Sequence, residues 1–265
     1  MTVRLLKYRL YPTKKQASAL QSTLATCRYL YNNSLSERQS TYKETKKSLS
    51  YTQQANALSK EKDEYQEQVH SQVLQETLKR LEKSFDRFFD RIKQRKQGKK
   101  IKAGYPRFKS WKRFRSFCYP QSGFKLTNDC KRIYLSKIGN VKLVYSRPVV
   151  SVPKTCRVLK DVDQWYVIFT CEVLSPETVD LSNTDNRIGI DVGITSYIAT
   201  SKKTTVSNPR HLKKSEQKLK KQQRWLSRKV LGSKNRNKQR IKVAKVYRKI
   251  RRQRDDFLHK LSFNL

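Results

Sequence analysis

The sequence predicts an α+β multidomain protein. A small antiparallel barrel or sandwich is interrupted by a helical segment, and a second domain follows that opens on two short strands and ends in basic helices. Three observations predict it. The hydrophobic pattern alternates over residues 3–11, takes helical spacing from about 14 to 95, and returns to short runs rich in Val, Ile, Tyr and Thr between 117 and 175. An acidic, turn-rich interval, SPETVDLSNTDN at 175–186, then marks a domain boundary. Finally, 61 Lys and Arg stand against 21 Asp and Glu, a formal charge of +40 over 265 residues, concentrated in helices and loops.

VRLLKYRLY, residues 3–11, suits a strand; Pro12 stops it and Thr13 offers an N-cap for the helices that follow. Within those helices Leu74, Leu78, Leu81, Phe85, Phe88 and Ile92 recur in steps of four and three, the spacing of one buried stripe. The link at 94–116 is dense in charge and broken by Gly98, Gly104 and Pro106. Its aromatics Tyr105, Phe108, Trp111 and Phe114 interleave with Arg107, Lys109, Lys112, Arg113 and Arg115. Two readings stand: rings that stack on bases between phosphate-binding cations, or an ordinary surface loop whose rings tuck into a neighbouring domain.

Beyond the link, RIYLSKIG, NVKLVYS, KTCRVLKDVD and QWYVIFTCEV read as strands, and residues 3–11 are a candidate first strand of the same barrel. After the acidic interval, RIGIDVGITSYIATS gives two short apolar strands around a glycine turn. Two basic helices follow, about 210–230 and 234–261, split by Gly232 and Ser233. On the second, Ile241, Ala244, Tyr247 or Arg248, Arg251 and Phe257 or Leu258 trace an incomplete apolar stripe, leaving a side to face phosphate.

So large an excess of cations implies a polyanionic partner, because a folded chain of this charge repels itself until neutralised. A membrane is excluded as that partner: no run of 18 apolar residues exists, and no clean aromatic face opposes the basic stretches. The N-terminus lacks the apolar region of a signal peptide, so a cytoplasmic protein is expected. Cys27, Cys118, Cys130, Cys156 and Cys171 form no C-x-x-C pair and read as reduced, mostly buried side chains rather than zinc ligands. His70, His211 and His259 are isolated, and no phosphate-cradling glycine loop occurs. No cofactor or bound metal is expected.

One carboxylate stands out. Asp191 ends an apolar strand beside Gly193, the setting in which ribonuclease-H-class nucleases hold divalent metal next to the scissile phosphate; a capping or turn aspartate is the other reading. Two-metal chemistry needs several carboxylates, and only Glu216, Asp255 and Asp256 follow, all within the basic helices.

Five segments, from KYRLYPTKKQASALQSTLATCRYLYNNSL through VHSQVLQETLKRLEKSFDRFF, GYPRFKS and IGIDVGITSYIATS to the basic helices beginning NPRHLKKSEQ, resemble in order the TnpB family of RNA-guided transposon nucleases, relatives of type V CRISPR effectors. The resemblance implies a β-barrel wedge domain (1–12 and 104–180), an inserted helical recognition domain (13–103) and a truncated RuvC domain of ribonuclease-H type (187–265). It implies a guide RNA and a double-stranded target DNA as partners, base pairing carrying most of the sequence information while protein reads a short flanking motif. Tyr51, Ser71, Gln75 and Tyr119 align with flanking-motif contacts; Gln75 suits an adenine edge, and Tyr119 suits stacking or backbone. Lys220, Lys221, Arg224, Arg228, Lys234, Arg236, Lys238, Arg240, Arg248 and Arg252, with Arg107, Lys109, Lys112 and Arg113 of the link, are the expected RNA and phosphate contacts. A second copy of the chain on the same RNA is a further candidate partner. The family's later catalytic Glu, C-x-x-C element and final Asp have no counterpart here, so the sequence alone predicts that Asp191 is vestigial. The chain is then expected to bind without cutting, as do the TnpB-derived repressors of the TldR type. A fragment of an active nuclease and a guide-RNA accessory protein are the alternatives.

Overall fold

The computed structural model describes residues 2–173 and 188–265; the interval expected as a boundary, 175–186, lies outside them. The chain divides into two compact units, Met1–Ser175 and Pro176–Leu265.

The first unit runs β1 (Thr2–Tyr11), α1 (Lys14–Thr45), α2 (Tyr51–Lys60), α3 (Glu64–Glu67), α4 (Ser71–Lys96), β2 (Ser116–Tyr119), β3 (Phe124–Leu126), β4 (Arg132–Leu135), β5 (Gly139–Val144), β6 (Thr155–Asp161) and β7 (Gln164–Val173). Its strands make one antiparallel sheet in the order β2-β6-β7-β1-β5-β4-β3. The N-terminal strand is central: β1 pairs with β7 from Thr2↔Val173 to Leu10↔Trp165 and with β5 at Arg9↔Val144. The helices are thus an insertion between two strands of one sheet. The sheet edges, β2 and β3, are separated by only five peptide steps, at most about 18 Å of chain. The sheet therefore curls until the Tyr119 and Phe124 rings lie 6.5 Å apart. Among the described residues no ladder joins β2 to β3, so the expected barrel is not closed.

Alternation on β1 places Leu6, Tyr8 and Leu10 inside and leaves Val3 and Leu5 out. Thr13 closes the strand as expected, its Oγ accepting from Gln16 N while Gln16 reaches back to the Thr13 amide, a capping box that starts α1. Leu20, Leu24, Cys27, Tyr31 and Leu35 of α1 meet the predicted stripe of α4, of which Leu74, Leu78, Leu81 and Phe85 are buried and Phe88 and Ile92 half-buried. One hydrophobic cluster joins these helices to the inner face of the sheet. A polar network ties α1, α2 and α4. Arg38 donates to Gln54 at 2.8 Å and pairs with Glu82 at 2.5 Å, and Gln54 donates to Ser34 O and Glu37. Cys27, Cys156 and Cys171 are buried and Cys118 and Cys130 half-buried, all as free thiols.

The second unit contains β8 (Ile190–Asp191), β9 (Ser196–Thr200) and β10 (Thr205–Ser207), paired antiparallel in the order β10-β9-β8, then α5 (His211–Ser227) and α6 (Lys234–Asn264). Gly232, at φ +82°, and Ser233, whose Oγ accepts from Arg236 N, make the turn and start α6. The seam between the helices is Leu219 and Leu226 against Val243, Val246 and Ile250. Of the expected stripe, Ile241, Tyr247 and Leu258 are exposed, whereas Arg248 is buried and Ala244 and Phe257 are half-buried. Arg248 and Gln239 share the buried side, so the strongest apolar periodicity on α6 was masked by polar residues within it.

Candidate nucleic-acid interface

Candidate surfaces occur in both units. In the first, α4 begins at Ser71 and places Ser71 and Gln75 one turn apart on the same exposed side of the helix. The helix start is fixed to the turn after β2: Gln72 Oε1 accepts from the Ser122 amide at 3.1 Å and its hydroxyl at 3.0 Å. Gly123 is required there. Its φ is +86°, and a Cβ would stand 2.9 Å from both His70 Nε2 and Tyr119 Cδ1. Tyr51 opens α2 behind a Ser50–Gln53 capping box and is half-buried against the core. Tyr119 departs from expectation. It is 1% exposed, its hydroxyl donates to Ser136 O at 3.0 Å, and burial pushes its phenol well above the ordinary range. It is a core residue at the β2 edge of the sheet, with no exposed surface to offer DNA.

Some rings of the link pack on the core and others stay exposed. Phe114 is buried beside Tyr31, and Tyr105 sets its ring edge-on to Phe85 and Phe88. Phe108 and Trp111 remain half exposed, at 51% and 55%. Asn32 clamps the loop to α1, donating to Lys109 O at 3.0 Å and accepting from Lys109 N at 2.8 Å. Lys109 itself is half-buried over Tyr31, and desolvation, then Arg80 and Arg113, pull its ammonium below the ordinary value. Arg107, Lys112 and Arg113 are exposed.

In the second unit the expected cations sort by environment. Arg224, Arg228, Lys234, Lys238 and Arg252 are exposed; Lys220 pairs with Glu216 at 2.8 Å, and Lys221 lies over Trp225 at 5.2 Å. Arg240 is half-buried. Two assignments are corrected. Arg236 Nη1 donates to Leu226 O at 2.7 Å and Lys229 O at 2.9 Å, satisfying carbonyls at the end of α5, and Arg248 is buried on the seam side. Both are structural because a helix end and a packed seam each claim a guanidinium.

Asp191 closes β8, paired in register with Ala199, and is exposed. Gly193 N donates to Tyr197 O, and a Cβ on Gly193 would stand 3.0 Å from Ser196 O, a tight approach in the turn after Asp191. Among the described residues no group of three His, Cys, Asp or Glu side chains is placed to hold a metal ion. Asp191 alone does not complete the ligand set of a two-metal centre.

Comparison with known proteins places the chain. A family model described as "Probable transposase" matches residues 169–265, and one described as "Helix-turn-helix domain" matches residues 1–47. Residues 2–45 form a strand and one continuous helix rather than two helices around a turn. A "Putative RNA-guided DNA endonuclease" of Streptomyces pristinaespiralis is 35% identical over 99% of this chain and 64% of its own length. The chain belongs to the TnpB family. A second relative, the "Putative RNA-guided DNA endonuclease InsQ" of Escherichia coli (strain K12), is 29% identical over 97% of the chain and 61% of its own length. The chain thus spans under two thirds of either relative. A structure titled "Cryo-EM structure of the Cas12f1-sgRNA-target DNA complex" covers 100% of this chain and 69% of its own, at 13% identity and a TM-score of 0.37, too low to carry any argument.

These relatives overturn one expectation. The sequence reading made the chain nuclease-dead, yet the TnpB relatives aligned along nearly all of it are named endonucleases. The dead reading rested on where the sequence stops, which says nothing about the chemistry of the residues present. Among the described residues no helix is long and apolar enough to cross a membrane.

Proposed function

We propose that this chain binds a guide RNA and, through it, a DNA duplex in an RNA-guided DNA endonuclease of the TnpB type, with Asp191 belonging to the cutting centre. The observation that carries this reading is alignment along 99% of the chain with a relative named for that activity. The α5–α6 hairpin supports it: its apolar seam is narrow, and Arg224, Arg228, Lys234 and Lys238 stand exposed around it as a phosphate-facing surface. The exposed Ser71–Gln75 side of α4 is the surface we assign to the flanking motif, where a Gln amide has the donor and acceptor for an adenine edge. Within this reading, 1–12 with 104–180, 13–103 and 187–265 are the wedge, recognition and RuvC segments.

The test is a paired assay on the protein with its copurifying RNA. Guide-matched duplex should shift in a gel in an RNA-dependent way. In the cleavage-competent assembly Asp191→Ala should abolish cutting while the shift persists. Equal cleavage by the Asp191→Ala protein would remove that residue from the centre, and a shift that survives ribonuclease treatment would end the RNA-guided reading.

A further inference from the structure

The first unit holds a cleft of about 410 Å³ between α1, α4, the link and the β2–β6 edge of the sheet. It is lined by five cations, Arg80, Lys83, Arg87, Lys109 and Arg157, with Glu76 the carboxylate among its lining residues. None of the five forms an ion pair with a carboxylate among the described residues. Glu76, Arg80, Lys83 and Arg87 form one row of α4 at steps of four, three and four, flanking the buried stripe, so the helix that builds the core also builds this wall. Arg80 is held in place: Nη1 donates to Ser116 O at 3.1 Å and the guanidinium lies over Phe114. Desolvation first, and then the like charge of Arg157, pull Arg80 below its ordinary value, while Glu76 on the same helix face opposes the shift without pairing to it.

At the cleft stands Tyr31. It is fully buried, lines the cleft, and its hydroxyl has no hydrogen-bond partner among the described residues. A buried hydroxyl without a partner is rare, because desolvation is then uncompensated. Crowded cations and an orphaned donor call for the same thing, a compact anion rich in acceptor oxygens.

We infer that this cleft seats one phosphate group of a nucleic-acid backbone, the Tyr31 hydroxyl donating to a phosphate oxygen while Arg80 and Arg157 neutralise it. The inference rests on the nucleic-acid reading above and sharpens it. The phosphate is held in a walled site independent of sequence, so it sets the register of the strand on the first unit.

Tyr31→Phe separates the possibilities, because it deletes only the hydroxyl. Without ligand the variant should melt at the same temperature as wild type or higher, since an unpartnered buried group is removed. Binding of a single-stranded oligonucleotide by the full chain should nevertheless weaken about fivefold, and about tenfold or more for the Arg80→Gln, Arg157→Gln pair. The same oligonucleotide with neutral methylphosphonate linkages should bind Tyr31→Phe and wild type alike. Inorganic phosphate at constant ionic strength forms the second arm. A rise in wild-type melting temperature that the paired variant lacks, with oligonucleotide binding unchanged, would assign the cleft to free phosphate and overturn the backbone assignment. Unchanged oligonucleotide affinity in Tyr31→Phe likewise overturns it. A wild-type chain that binds no oligonucleotide would fail the broader functional reading, and the phosphate arm would still report on the cleft.

Discussion

Removing charge from the α5–α6 hairpin should have two different outcomes, depending on which arginines and lysines are chosen. Arg224, Arg228, Lys234 and Lys238 are exposed and, among the described residues, no side-chain partner holds them, so replacing all four by Gln leaves the seam of Leu219, Val243, Val246 and Ile250 intact. If each contacts one phosphate of a single-stranded RNA, the slope of log K against log salt flattens by about 0.7 per cation, about 2.8 in all. Over a fourfold rise in salt, wild-type affinity would then fall about 50-fold more than that of the variant. Filter binding or fluorescence anisotropy between 50 and 200 mM salt measures this, with melting temperature as the control. An unchanged slope would refute the assignment of this face to phosphate. The contrast is Arg236→Gln, which removes one charge but also two hydrogen bonds to Leu226 O and Lys229 O. It should cost about 2 kcal/mol of stability in the second unit and change the slope by little.

Other expectations follow from the first unit. Tyr119→Phe should lower stability by about 1 kcal/mol through loss of the bond to Ser136 O, measured by urea unfolding, and leave DNA binding unchanged; a binding defect without destabilisation would return Tyr119 to the interface. Gly123→Ala should destabilise by at least about 1 kcal/mol, because the residue sits at positive φ and its Cβ would meet His70 and Tyr119; wild-type stability would show that the turn moves freely. Burial pushes the Cys27 thiol from 9.0 up to about 12. The folded chain therefore keeps Cys27 protonated where the unfolded chain ionises it, and this contribution is present below about pH 9 and lost as pH rises toward 12. The difference in stability between wild type and Cys27→Ala should shrink across that range, and a difference that stays constant would mean the thiol is not protected.

How much of this was legible beforehand can be judged from particular residues. The α4 stripe, the Thr13 cap, the pairing of residues 3–11 into a sheet completed after the helices, and the Gly232–Ser233 break were all readable, because each is written in local spacing or in a residue type with one backbone use. Tyr119 and Arg236 are not legible for the opposite reason. An aromatic near a loop and an arginine in a basic helix look the same in sequence whether they face water or a neighbouring element.

The sequence by itself determined a helix-interrupted sheet, a second segment ending in basic helices and a large excess of cations, since period, turn chemistry and net charge are properties of the chain alone. Tertiary structure alone decided which cations are free. It curled the sheet until β2 came against α4, set Arg157 beside Arg80, and left the Tyr31 hydroxyl unmatched at their cleft. Those residues are 31, 80 and 157 along the chain, and only the packing of one core around them brings an orphaned donor and like charges to one place.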